Sequence, residues 1–120
     1  NLLLDIRERR DLSFLFIAHD LRVACHFCDR IGVMYRGELM EEAPAAELYR
    51  DGVHPYTRLL FSSAPGNESG AETVQIREEV KAPRSCAFAD RCPLAEARCF
   101  AEHPAIKDIA GGHRVRCFRI

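Results

Sequence analysis

The stretch that decides the fold is Phe14-Leu15-Phe16-Ile17-Ala18-His19-Asp20-Leu21, a short apolar run that stops abruptly on a histidine and an aspartate. Phe14 to Ala18 show no polar alternation. An unbroken apolar run of that length suits a strand covered on both faces, as in the parallel sheet of an α/β domain. Ligands of such sheets collect beyond the carboxyl ends of the strands, which is where His19 stands. Asp20 offers a side-chain acceptor to the free amides of a helix beginning at Leu21. On the residues alone His19 has two readings, a hydrogen-bonded structural residue or a residue placed for chemistry.

Working outward, Asn1 to Arg10 puts Leu2, Leu3 and Ile6 on one helical face and Arg7 to Arg10 mostly on the other. Asp11-Leu12-Ser13 breaks that helix before the apolar run. Beyond it, Leu21, Ala24, Cys25 and Cys28 recur at i, i+3, i+4 and i+7, one face of a helix. Cys25-His26-Phe27-Cys28 has the form C-x-x-C, but it lies a full turn inside that helix, away from the N-terminal position that activates redox thiols. Packing as small apolar side chains is the preferred reading. Ile31 to Tyr35 reads as a strand, Arg36-Gly37 as a tight turn and Glu38 to Glu42 as its hairpin partner. One helix is predicted from Pro44, with proline at N1, to near Gly52, and another from Pro55 to about Ala64. Pro65-Gly66-Asn67-Glu68-Ser69-Gly70 is a composition break. It divides the chain into residues 1–64, a polar linker 65–82 with at most a short strand at Val74 to Arg77, and a cysteine-rich segment 83–120.

The chain has 120 residues, 48% hydrophobic, with a formal net charge of −1. These are the figures of a globular protein, not of a disordered or nucleic-acid-coating one. No apolar run approaches the ~20 residues that span a bilayer. The sequence starts at Asn1 directly inside a helical pattern, which leads us to expect a piece of a longer protein.

Six cysteines are many for this length, and four of them, Cys86, Cys92, Cys99 and Cys117, lie in the last segment as C-x5-C-x6-C-x17-C. A segment of that size buries too little apolar surface to fold readily unaided, so a crosslink or metal is expected there. Arg91, Arg98 and Arg116 directly precede three of the thiols, and positive charge favours the thiolate that binds metal. Zinc modules usually pair their thiols two to four residues apart. Four dispersed thiols, with Pro93 after Cys92, sit better with an iron–sulfur cluster. Zinc, in which His113 could replace one thiol, and disulfides or free thiols remain open; the preferred reading of His113 is a strand residue two before Val115. His103, before Pro104, reads as a helix-end residue. A nucleic-acid role for the arginines is disfavoured by the interspersed Asp90, Glu96, Glu102 and Asp108 and by the lack of an aromatic platform.

Ile17-Ala18-His19-Asp20-Leu21 resembles the switch-histidine motif of ABC-type ATPases, and Cys28 to Glu38 is similar to the strand, turn and strand that follow it in that family. His54-Pro55-Tyr56-Thr57-Arg58-Leu59-Leu60 resembles the signature of one subgroup, the ATP-binding subunits of oligopeptide, dipeptide and nickel importers. The cysteine pattern, with His113-Arg114-Val115-Arg116-Cys117, resembles that subgroup's C-terminal extension. The resemblance implies an α/β fold: the C-terminal fragment of a P-loop-type ABC ATPase domain, in the order helix, strand, helix, hairpin, helices, followed by a small cysteine-rich extension.

The same resemblance implies a function. ATP with Mg would be sandwiched between two such subunits in the full-length parent, with His19 as the catalytic residue near the γ-phosphate. Partners would be that second ATP-binding subunit and transmembrane permease subunits, with no nucleic acid, at the cytoplasmic face of the bacterial inner membrane. In some members the extension is taken to hold a [4Fe-4S] cluster, which implies Cys86, Cys92, Cys99 and Cys117 as its ligands. No G-x-x-x-x-G-K-[ST] is present, nor the ABC signature or Walker B carboxylates, so this stretch alone is not expected to hydrolyse ATP. The rival reading is a free-standing cysteine-ligated metal-binding or redox module with an α/β appendage.

Overall fold

Arg36 and Gly37 both take positive φ, 48° and 81°. That is the two-residue turn whose twist matches a right-handed pair of strands. It joins strand β1 (Arg30–Tyr35) to strand β2 (Glu38–Pro44) in an antiparallel hairpin, with Tyr35 opposite Glu38 and Val33 opposite Glu41. The register shifts between Val33 and Met34. Along β1, Ile31, Val33 and Tyr35 point inward and alternate with exposed residues, the pattern of a sheet with one covered face. These features come from a computed structural model of the chain, which describes residues 2–18, 20–62 and 84–120.

A two-stranded hairpin alone is marginal in water. Here the cysteine-rich segment extends it. Strand β4 (His113–Val115) pairs antiparallel with β2, placing Val115 opposite Glu41 and Arg114 opposite Glu42. Strand β3 (Lys107–Ala110) pairs with β4, so the sheet runs β1-β2-β4-β3. The chain reverses between β3 and β4 through Gly111 and Gly112, at φ 49° and 97°.

Around the sheet lie α1 (Leu2–Arg10), α2 (Leu21–Phe27), α3 (Ala45–Asp51), α4 (Pro55–Ser62) and α5 (Ala97–Ala101). Gly52 closes α3, its amide donating to Leu48 O at 3.0 Å. A Cβ at Gly52 would stand 2.8 Å from that carbonyl, so glycine is required there. One core joins Ala24 of α2, Ile31, Val33, Ala43 and Leu48, with Leu60 and Phe61 of α4 packed on it. The other joins Tyr35 and Met40 of the hairpin to Cys86, Phe88, Cys99 and Phe100 of the tail.

The architecture is therefore mixed α/β around an antiparallel sheet, and it differs from expectation at Phe14 to Ala18. Residues 12–18 carry no strand, and Leu15 and Ile17 are 95% and 92% exposed. A strand exists through the ladder it makes with a neighbour, and none of the described strands lies beside this run. Every described pairing is antiparallel. Helix α1 likewise buries none of its residues. The composition break at Pro65–Gly70 and the short strand expected at Val74 to Arg77 lie outside the described residues. Among the described residues no helix is long and apolar enough to cross a membrane.

Candidate functional site

Asp20 caps α2 as its sequence position requires: Oδ1 accepts from the amides of Arg22 (3.1 Å) and Val23 (3.4 Å), with extended backbone at the cap itself. The far end of α2 is fixed from two directions. Phe16 meets Phe27 edge to face at 4.8 Å, and Arg7 Nη1 donates to Phe27 O at 3.4 Å. From the first turn, Arg22 reaches the carbonyl of Phe61 in α4 at 3.4 Å. His19 lies outside the described residues; the segments on both sides of it are held by these contacts. Cys25 and Cys28 are half-buried against the α2–α3 core, and the Cys25 thiol is raised by burial and by Cys28 beside it.

The stretch His54-Pro55-Tyr56 faces the tail. The ring of Tyr56 lies 4.8 Å from that of Tyr35 and 5.3 Å from that of Phe88, while the His54 ring is 6.0 Å from Phe88. His54 Nδ1 accepts from the Tyr56 amide at 3.0 Å, which turns the first residues of α4 inward. Burial lowers the His54 pKa to about 4, against the raising effects of Glu41 and the Arg116 backbone.

Beneath this stretch sits a residue that the sequence reading passed over. Glu41 is fully buried, and its carboxylate accepts from the amides of Val53 and His54, each at 3.0 Å. His113 Nε2 stands 2.5 Å from Glu41 Oε2, and its Nδ1 4.0 Å from Glu47 Oε2. The signal was available in the hairpin register. Directly opposite residues share a face, so a glutamate paired with inward-facing Val33 must itself point inward. Its neighbour Glu42 faces outward and binds Arg30 and Arg114, which hold its carboxyl below the usual range, Arg114 foremost. His103, read as a helix-end residue, follows α5 and pairs with Glu38 at 2.8 Å.

Cys92 lies within electrostatic reach of the other three tail cysteines. The Cys92 thiol is pushed up to about 11, by burial first, and Cys117, Cys86 and Cys99 each push it further. Cys117 is raised by burial, opposed by the Arg119 amide. The Cys86 amide donates to Cys99 O at 2.9 Å, fixing two of the segments to each other. No disulfide joins any of the six cysteines. Among the described residues, no three His, Cys, Asp or Glu side chains converge to hold a metal ion.

Comparison with known proteins places these features in a family. The family model for the oligopeptide/dipeptide transporter C-terminal region matches residues 40–99, which include Glu41, the His54-Pro55-Tyr56 stretch and three of the tail cysteines. A protein of Bacillus subtilis named as an oligopeptide transport ATP-binding protein is 41% identical over 98% of this chain, covering 38% of that relative. AppF of the same organism, an oligopeptide transport ATP-binding protein, is 38% identical with the same coverage. A protein of Brucella ovis named as a peptide import ATP-binding protein is 38% identical over 99% of this chain and 39% of its own length. The chain thus spans about two fifths of the length of the curated relatives it matches. A free-standing cysteine module is not favoured, because the likeness runs through both halves and β4 pairs directly with β2. The chain belongs to the oligopeptide/dipeptide transporter C-terminal region family.

Proposed function

We propose that this chain is the C-terminal part of the ATP-binding subunit of a bacterial peptide importer of the ABC type, and that its parent hydrolyses ATP with Mg to drive uptake through permease subunits. The observation that carries this reading is the extent of the likeness. Proteins named for peptide import and for oligopeptide transport match 98–99% of the chain, not only its tail. In this reading two ATP-binding subunits enclose the nucleotide at the cytoplasmic face of the inner membrane. The His19 imidazole orients the attacking water or stabilises charge at the γ-phosphate. Phosphoryl transfer is accelerated chiefly by positioning and electrostatics. The cap at Asp20 fixes the first turn of α2, immediately after that histidine. Domain closure and opening then pass to the permease. The test is the parent subunit assembled with its permeases in lipid vesicles and supplied with a pool of short peptides. ATP hydrolysis accompanied by peptide uptake is expected, and an assembly without ATP-dependent peptide uptake contradicts the reading.

We extend the proposal to the tail, where Cys86, Cys92, Cys99 and Cys117 would hold a [4Fe-4S] cluster with a structural or regulatory role. The support is the donor set: four cysteines from dispersed positions, three of them buried, with the Cys92 thiol under the influence of the other three. Thiols pushed up by burial are stabilised as thiolates only by a strongly positive centre. When bound, such a cluster supplies a four-way crosslink and a one-electron couple. Anaerobic purification should give coloured protein containing iron and sulfide. Colourless protein containing zinc, or none of these, overturns this part alone.

A further inference from the structure

A carboxylate withdrawn from water is expensive unless it is both paired and hydrogen-bonded. Glu41 meets that demand with partners from two distant parts of the chain. The amides of Val53 and His54, at the entrance to α4, donate to Oε2 and Oε1 at 3.0 Å each. The third partner is His113 of the tail, 2.5 Å from Oε2 and 72 residues away in sequence. Both side chains are almost completely buried, at 0% for Glu41 and 5% for His113. The nearby guanidinium groups of Arg30 and Arg114 are engaged on Glu42, on the other face of β2. Glu47 approaches His113 from α3, at 4.0 Å, and is itself partly exposed.

The consequence is conditional stability. With the tail docked, Glu41 is paired. With the tail released, Glu41 loses His113 and keeps only the two amides, which belong to the loop that starts α4. We infer that Glu41 and His113 form a buried latch through which the cysteine-rich tail and the His54-Pro55-Tyr56 helix open and close as one unit. The backbone shows the same juncture: Arg116 N donates to Met40 O at 2.8 Å, Arg116 Nε to Leu39 O at 3.0 Å, and Arg116 Nη1 to Pro104 O at 3.0 Å. The latch does not depend on what the tail thiols bind. It makes the state of the tail felt at α4, and through Arg22 and Phe61 at α2.

A buried pair has a signature that ordinary packing lacks. Removing one partner strands the other, whereas removing both is far milder. The test is amide hydrogen exchange read at two reporters in the intact protein. Arg116 N–H reports tail docking, and Arg58 N–H, bonded to His54 O at 3.1 Å, reports α4. His113→Ala should accelerate exchange at both by on the order of a hundredfold, because both become limited by the same opening. Adding Glu41→Gln to that variant should slow both again by about tenfold or more, since the stranded charge is gone while an acceptor for the amides remains. His113→Gln, with a donor retained, should fall between wild type and His113→Ala, and it supplies the cycle should His113→Ala fail to fold. The inference is overturned if Arg116 opens while Arg58 keeps its wild-type rate, if neither rate changes, or if Glu41→Gln further accelerates exchange in the His113 variant.

Discussion

The ring of Phe88, from the tail, lies 5.3 Å from the ring of Tyr56, from the start of α4, at an interplanar angle of 51°. Tyr35 of β1 completes the group, 5.3 Å from Phe88 and nearly perpendicular to it. Phe88 is 1% exposed, so its side chain fills the joint between the tail and the hairpin. Phe88→Ala should cost about 3–5 kcal/mol through lost burial and the cavity left behind. Denaturant titration checks this. A loss below about 1 kcal/mol would show that the joint repacks or is not formed.

Asp20 acts on α2 through two amide contacts from a single oxygen. Asp20→Ala should lower stability by about 1 kcal/mol, and Asp20→Asn by only a few tenths, since asparagine supplies an equivalent acceptor. Thermal unfolding of the two variants side by side distinguishes a cap from a purely electrostatic role, which Asp20→Asn would abolish.

His54 sets a pH dependence of definite sign. Burial lowers its pKa from 6.5 to about 4. The unfolded imidazole therefore takes up a proton near pH 6.5, and the folded one only near pH 4. Stability contributed by the neutral ring is complete above pH 6.5 and declines as the pH falls towards 4, by up to about 3 kcal/mol at ~1.4 kcal/mol per unit. His54→Gln, which keeps an acceptor for the Tyr56 amide, should flatten this part of the pH–stability profile. An unchanged slope in that variant would assign the dependence to other groups.

Much of the fold can be read directly from residue types. The Arg36-Gly37 turn fixes the hairpin because only its geometry accommodates two positive φ values, and the cap at Asp20 and the stop at Gly52 follow from unpaired helix amides and carbonyls. Long-range pairing was not legible. Strand β4 is three residues long and carries no periodicity of its own, and its place beside β2 depends on contacts across some seventy residues of sequence. The apolar run at Phe14 to Ala18 fails in the opposite way. Its composition says buried strand, but a strand needs a neighbour, and among the described residues none is alongside. Glu41 was hidden because a glutamate in an acidic stretch reads as solvated surface until the register shows which face it shares with Val33.

In the proposed reading, His19 completes a nucleotide pocket in the parent subunit. The most direct measurement is steady-state ATP hydrolysis alongside nucleotide affinity for His19→Ala in that subunit. Turnover should be lower by about 10²–10³ with nucleotide binding little changed, as for loss of one group that acts only in the transition state. Wild-type turnover in the variant would contradict it.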